Sequence, residues 1–414
     1  EILQKFGVKA AYYDTRRVGN NILKQPDLRT FEREIADLTA RLKTASEEEQ
    51  PFLVRKLEQA TEGHNNRLRA VESAQLQSLA IIVDEQGDCA SIVRSTLGHM
   101  LRDFHADDTI QQRYREAIEG GIGSDAHQNI PTLHDFYEFA REWIANYREQ
   151  ESNLDTRDIK AALARILHQL KAVLKGPLAH SIASPGEIPT DLQYLCFAVR
   201  SVDDPTEVAL TAVSAYSALL LKALESPRSC FCVDEGAIFF RHQVISNLLG
   251  EISANGLKWG ARVVLGAQTA EDVKRSPAAD KILKNMQYKA VGFITSEAKP
   301  SFEEFGFPNH LLGKYADSTS KPCPITICSK WLVSNHGEVT EVKLFPSLTL
   351  LALCANNTDE QELRDRYFDL YPGQPLVALK HFRDRYIDCL QRQIPLTLPV
   401  TELEPSGEEL SYAS

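Results

Sequence analysis

The chain lacks the phosphate-cradling loop G-x-x-x-x-G-K-S/T: Gly313-Lys314 runs into Tyr315, and Gly120, Gly121 and Gly123 have no lysine beside them. It also lacks a C-x-x-C pair, and none of its eight cysteines has a histidine at zinc-ligand spacing, which excludes the common zinc modules. No apolar run approaches the roughly 20 residues needed to span a bilayer, and no basic start leads into a hydrophobic stretch of the secretory kind. Any membrane contact is therefore expected through partners. A net charge of −11 argues against a surface that coats nucleic acid broadly, although a narrow basic pore lining fits within an acidic total.

What is present is an ordinary globular composition. The 414 residues, 43% hydrophobic and 25% charged, suffice for a large core and two or three structural units. Cys89, Cys196, Cys230, Cys232, Cys323, Cys328, Cys354 and Cys389 fall largely in apolar segments and read as reduced core thiols of a cytosolic protein.

Hydropathy patterning predicts an α/β chain with a helical insertion. Residues 1–6 read as a helix tail and Gly7–Asp14 as a buried parallel strand closing on a carboxylate. From Phe31 to about Gln77 the pattern becomes charged helix, with Phe31, Ile35, Leu38 and Leu42 on one face and Pro51 separating two helices. Thr132–Asp135 resembles a capping box ahead of Phe136, Phe139 and Trp143. Thr156 caps a helix whose Ile159, Leu163, Ile166, Leu170 and Val173 repeat at helical spacing up to Gly176. Strands and helices then alternate, which implies a parallel sheet: strands 192–199, 230–233, 263–267 and 290–294, with helices 207–224, 243–255 and 277–286 between them. Residues 325–333 and 339–345 flank Ser334–Glu338 as an antiparallel edge hairpin, followed by a strand at 348–355, a helix capped at Thr358 and a helix over 377–391. The expected units are 1–30 as the start of the core, 31–185 as an all-α subdomain, 186–395 as the main α/β core, and 396–414 as a flexible tail.

The chemistry concentrates at strand ends. The run Ser229–Glu235 is apolar and finishes in Asp234 and Glu235, and about thirty residues later Arg262–Ala267 finishes in Gln268. In a parallel sheet ligands gather at the carboxyl ends of strands, so these groups could converge on one phosphate. Asp234 could hold the magnesium of a nucleotide, Glu235 could take a proton from the attacking water, and Gln268 could position that water or sense the γ-phosphate. The competing reading makes the carboxylates and the amide helix caps or loop groups. Asp14 also ends a strand, either bonding a phosphate loop or capping its own turn. Lys258, Arg262 and Arg275 are candidate cations for a neighbouring active site, or plain surface residues.

On these residues the chain resembles the RecA-like motor ATPases of the FtsK/HerA superfamily, in particular the VirB/TraC-type ATPases of type IV secretion and conjugation. Gly7–Arg17 looks like the strand and turn after that family's phosphate-loop helix, and Pro131–Phe136 resembles part of its all-α subdomain. Cys232–Gly236 looks like Walker B, and Trp259–Gln268 resembles the strand that ends in Ala-Thr-Gln. Trp331–Cys354 with Tyr371–Pro375 is similar to its C-terminal edge. Ala267 stands where Thr is usual, Lys258 where a basic pair is common, and the phosphate loop is absent. That last departure implies either a loop upstream of Glu1 or its loss.

The resemblance implies a RecA-like, mostly parallel sheet with an antiparallel C-terminal edge, and ATP and Mg²⁺ as cofactors. It also implies a hexamer at the cytoplasmic face of the inner membrane, working with inner-membrane secretion proteins and other secretion ATPases. Two rivals are a DNA-pumping coupling protein of the same fold and a non-catalytic scaffold.

Overall fold

The computed structural model describes residues 2–83, 90–150, 157–189, 191–198, 205–234, 243–316 and 320–396. The expected tail from 397 onward and the expected cap Thr156 lie outside these residues. The chain divides into two units, Lys9–Asn285 and a second formed by Glu1–Val8 with Met286–Ser414.

In the first unit, amphipathic helices assemble around one core. Helix Arg29–Thr44 buries Phe31 and Leu38 from its apolar stripe. Helix Gln50–Val83 starts with Pro51 in its first turn, where a missing N–H costs little, and runs past the expected end at Gln77. Asp107 caps Asp108–Gly120 by accepting from the amides of Thr109 and Ile110 at 2.9 and 3.0 Å. At the start of helix Leu133–Gln150, Thr132 N–H donates to Asp135 Oδ2 at 2.8 Å, and Thr132 Oγ1 accepts from the His134 amide at 3.3 Å. Helices Ala90–Ala106, Leu133–Gln150 and Arg157–Leu174 bring Leu97, Met100, Phe104, Phe136, Ile166 and Leu170 into a single buried cluster. Phe104 meets Phe136 edge-on at 5.4 Å.

Strand β1 (Ala10–Asp14) pairs in parallel with β2 (Tyr194–Ala198), Ala10 against Tyr194 and Asp14 against Ala198. Strand β3 (Ser229–Val233) pairs in parallel with β4 (Ala261–Leu265), Ser229 against Ala261 and Val233 against Leu265. Helix Pro205–Glu225 leads into β3, and helix Gln243–Asn255 precedes β4. Over Glu207–Glu225 the former is long and apolar enough to cross a membrane, contrary to the sequence reading, but 83% of that window is buried, as in a core helix.

The buried Arg67 ties the long helix to this layer. It donates to the carbonyls of Gly63, Leu224 and Trp259 at 3.1, 3.1 and 2.9 Å, with its guanidinium 4.0 Å from the centre of the Phe31 ring.

Among the described residues the parallel strands form two separate two-stranded ladders, not one continuous sheet. The strand expected at 290–294 to extend the parallel series is β5 (Tyr288–Val291), which lies in the second unit and runs antiparallel to β6 (Ser329–Asn335). An alternation of strand and helix says that a strand is present but not which partner it takes. Here Val291 and Leu332 share a small core with Phe307, Leu312 and Tyr315, and that core decides the pairing.

The hairpin of β6 with β7 (Glu338–Leu344) turns at His336 and Gly337, with φ of 49° and 92°, the two left-handed residues of a tight two-residue turn. Its first strand begins at Ser329, not at 325, because Cys323 and Cys328 bond each other's backbone at 2.8 and 3.3 Å and close a turn ahead of it. Residues 348–355, expected as a strand, instead begin with the helix Leu348–Leu353. Ala352 and Ala355 pack there with Tyr367 and Phe382 of helices Thr358–Leu370 and Pro375–Arg392. The cap of Thr358–Leu370 falls at Asn357, one residue ahead of Thr358, and Glu360 accepts from the amides of Asn356 and Asn357 at 3.0 and 3.1 Å.

Candidate functional site

The parallel register of β3 and β4 makes both chains leave their ladder at the same edge. Val233 lies opposite Leu265, and the Gly266 N–H donates to the Val233 carbonyl at 2.8 Å. Asp234 follows at once and is exposed. A Cβ on Gly266 would lie 3.2 Å from Asp234 Oδ1 and 3.5 Å from the Val233 carbonyl oxygen, so the glycine leaves the carboxylate its room. In the sequence Gly266 reads only as part of a strand. A glycine closing an apolar strand was the available signal that something approaches closely there.

Beyond Gly266 the chain passes through Ala267 and Gln268, both exposed, and Thr269 then caps the short helix Ala270–Lys274. Thr269 Oγ1 accepts from the Asp272 amide at 3.3 Å and donates to Asp272 Oδ2 at 2.7 Å. The capping role weighed for Gln268 thus belongs to Thr269. Asp234 and Gln268 stand on strand tips of one ladder at one edge, and Glu235 lies outside the described residues.

The other candidates are placed differently. Asp14 ends β1, whose ladder partner is β2, and its Oδ1 accepts from the Arg16 amide at 3.1 Å. Arg16 Nε and Arg17 Nε lie 3.8 and 4.0 Å from its oxygens, so the carboxylate holds its own turn. Lys258 precedes β4, its ammonium donating to Asn255 Oδ1 at 3.1 Å, and Arg262 lies opposite Cys230. Both are therefore at the amino end of β4, away from the Asp234 tip. Arg275 is exposed and caps the helix that follows Gln268, its amide donating to Glu271 O at 2.9 Å.

Burial supports the strand pair from one side: Phe231 of β3 is buried, with its ring 6.2 Å from that of Tyr216. No group of three or more His, Cys, Asp or Glu side chains that could hold a metal ion occurs among the described residues. Asp234, exposed and given room by Gly266, suits magnesium, which binds through one or two carboxylates with substrate phosphates and water completing the shell.

No family model and no curated protein matches the chain. Among solved structures it is similar to VirB4 of Thermoanaerobacter pseudethanolicus, at 14% identity over 68% of this chain and 70% of that one, with a TM-score of 0.45. It is also similar to the plasmid coupling protein TrwB in complex with the non-hydrolysable GTP analogue GDPNP, at 15% identity over 66% and 68%, TM-score 0.37. Unbound TrwB in a monoclinic form gives 14% identity over 66% and 67%, TM-score 0.39. Likenesses this distant carry neither a fold nor an activity over to the chain.

Proposed function

We propose that the chain is the motor region of a type IV secretion ATPase, which couples ATP hydrolysis to pilus biogenesis or substrate transfer. One observation carries the reading: a carboxylate and an amide on in-register parallel strand tips, at the edge where parallel sheets gather phosphate ligands. In this reading Asp234 holds the magnesium that neutralises phosphate charge. Glu235 accepts the proton of the attacking water, and Gln268 orients that water and links hydrolysis to movement. Residues 31–185 serve as the all-α subdomain and 186–395 as the core. A hexamer docked beneath an inner-membrane complex would supply the cation of a neighbouring site from Lys258, Arg262 or Arg275.

The test is ATP turnover by the full gene product. Glu235→Gln is expected to cut phosphate release by roughly 100- to 10,000-fold while nucleotide binding persists. Gln268→Ala is expected to slow turnover with binding retained, and Asp234→Asn to lose magnesium-dependent binding. Unchanged turnover in Glu235→Gln, or no turnover by the unmutated protein, overturns the proposal in favour of a scaffold.

A further inference from the structure

Cys230 and Cys232 sit at alternate positions of β3, both exposed, with their sulfurs 3.5 Å apart. Alternation along a strand sends both side chains to one face, opposite to that of the buried Phe231. The same face carries Arg262 and the 54% exposed Val264 of β4, which lie opposite Cys230 and Cys232 in the ladder. The two thiols are thus neither core residues nor a disulfide.

Strand geometry separates two fates for such a pair. Two residues along a strand put the Cα atoms roughly 6.7 Å apart, at the far limit for a disulfide, whose Cβ atoms must approach to about 4 Å. Closing that bond would bend β3 away from β4. A thiophilic ion asks less of the backbone, since two sulfurs at about 2.3 Å from a tetrahedral centre stand about 3.8 Å apart. The observed sulfur separation is already close to that span. With no cluster of three metal-binding side chains among the described residues, the ion would take two protein sulfurs and no closed structural-zinc shell.

We propose that Cys230 and Cys232 form a two-sulfur chelating site for a thiophilic ion, of the kind probed by a trivalent arsenical. With phenylarsine oxide the step balances without redox change. Two As–S bonds form, the As–O bond breaks, and both thiol protons leave with the oxygen as water. The site stands apart from the nucleotide reading and survives its failure.

The experiment treats the reduced chain with one equivalent of phenylarsine oxide, then with iodoacetamide, and reads each cysteine by peptide mass spectrometry. Cys230 and Cys232 are expected to be protected together, with at least a tenfold drop in alkylation that dithiothreitol reverses and glutathione does not. Cys230→Ser and Cys232→Ser are each expected to abolish protection of the remaining thiol. Equal alkylation with and without the arsenical overturns the proposal, as does protection that survives in either variant. The footprint on the unmutated chain decides the matter even where a variant does not fold.

Discussion

Within the first unit, the helical block and the β3–β4 ladder use apolar residues in opposite ways. The block closes its helices around side chains that are almost wholly inaccessible, Phe104 and Phe136 among them. The ladder buries Phe231 and Ala261 on one face and leaves Cys230, Cys232, Arg262 and Val264 exposed on the other. Stability is therefore concentrated where there is no candidate chemistry, and the candidate chemistry stands on a pair of strands covered from one side. A tip that must admit a ligand cannot also be packed, whereas a scaffold can be packed throughout.

The comparison breaks first at Phe136. Phe136→Ala should cost about 4 kcal/mol, the usual loss for a fully buried aromatic, measured by urea unfolding of the chain. A loss below about 1 kcal/mol would show that the block is not the stability centre.

The next test uses acid. Burial pulls His105 down to about 4; its Nε2 lies 2.9 Å from Gln75 Oε1, and the Gln25 amide is within 3.4 Å of its ring nitrogens. The unfolded chain binds this proton near pH 6.5 and the folded chain only near pH 4, so stability should fall as pH drops from about 6.5 to about 4. The full loss is roughly 3 kcal/mol. His105→Gln should flatten that part of the profile, and a profile unchanged by the substitution would remove His105 as its cause. At the small end, Val264→Ala on the bare face should shift stability by less than about 0.5 kcal/mol. A larger loss there would mean that the face is covered.

The parts that were legible in the sequence are those whose cause is local. The helix at Gln243–Asn255 falls at its expected limits, and the helix at Arg157–Leu174 carries the stripe that periodicity announced. The Thr132–Asp135 start was legible because a capping box is written within four residues. Leu348–Ala355 was misread because a short apolar run has no period, and its helical form depends on Ala352 and Ala355 meeting distant aromatic rings. The ladder partners were equally hidden. The Cα partners of β1 are about 180 residues away, so nothing near β1 in the sequence names them. The polar ends at Asp234 and Gln268 could be read from composition. Their common edge depends on the register of β3 with β4, and the room left by Gly266 is a property of that pairing alone.

One glycine governs that pairing from the far end. Gly260 has φ of 79°, its carbonyl accepts the Ser229 amide at 3.1 Å, and a Cβ on it would fall 2.3 Å from the Pro227 carbonyl oxygen. Any larger residue must push the two strands apart where they first meet. Tolerance to substitution in this chain is therefore not graded by nearness to the acidic tip: a residue without a side chain, a whole strand length away, sets the alignment on which that tip depends.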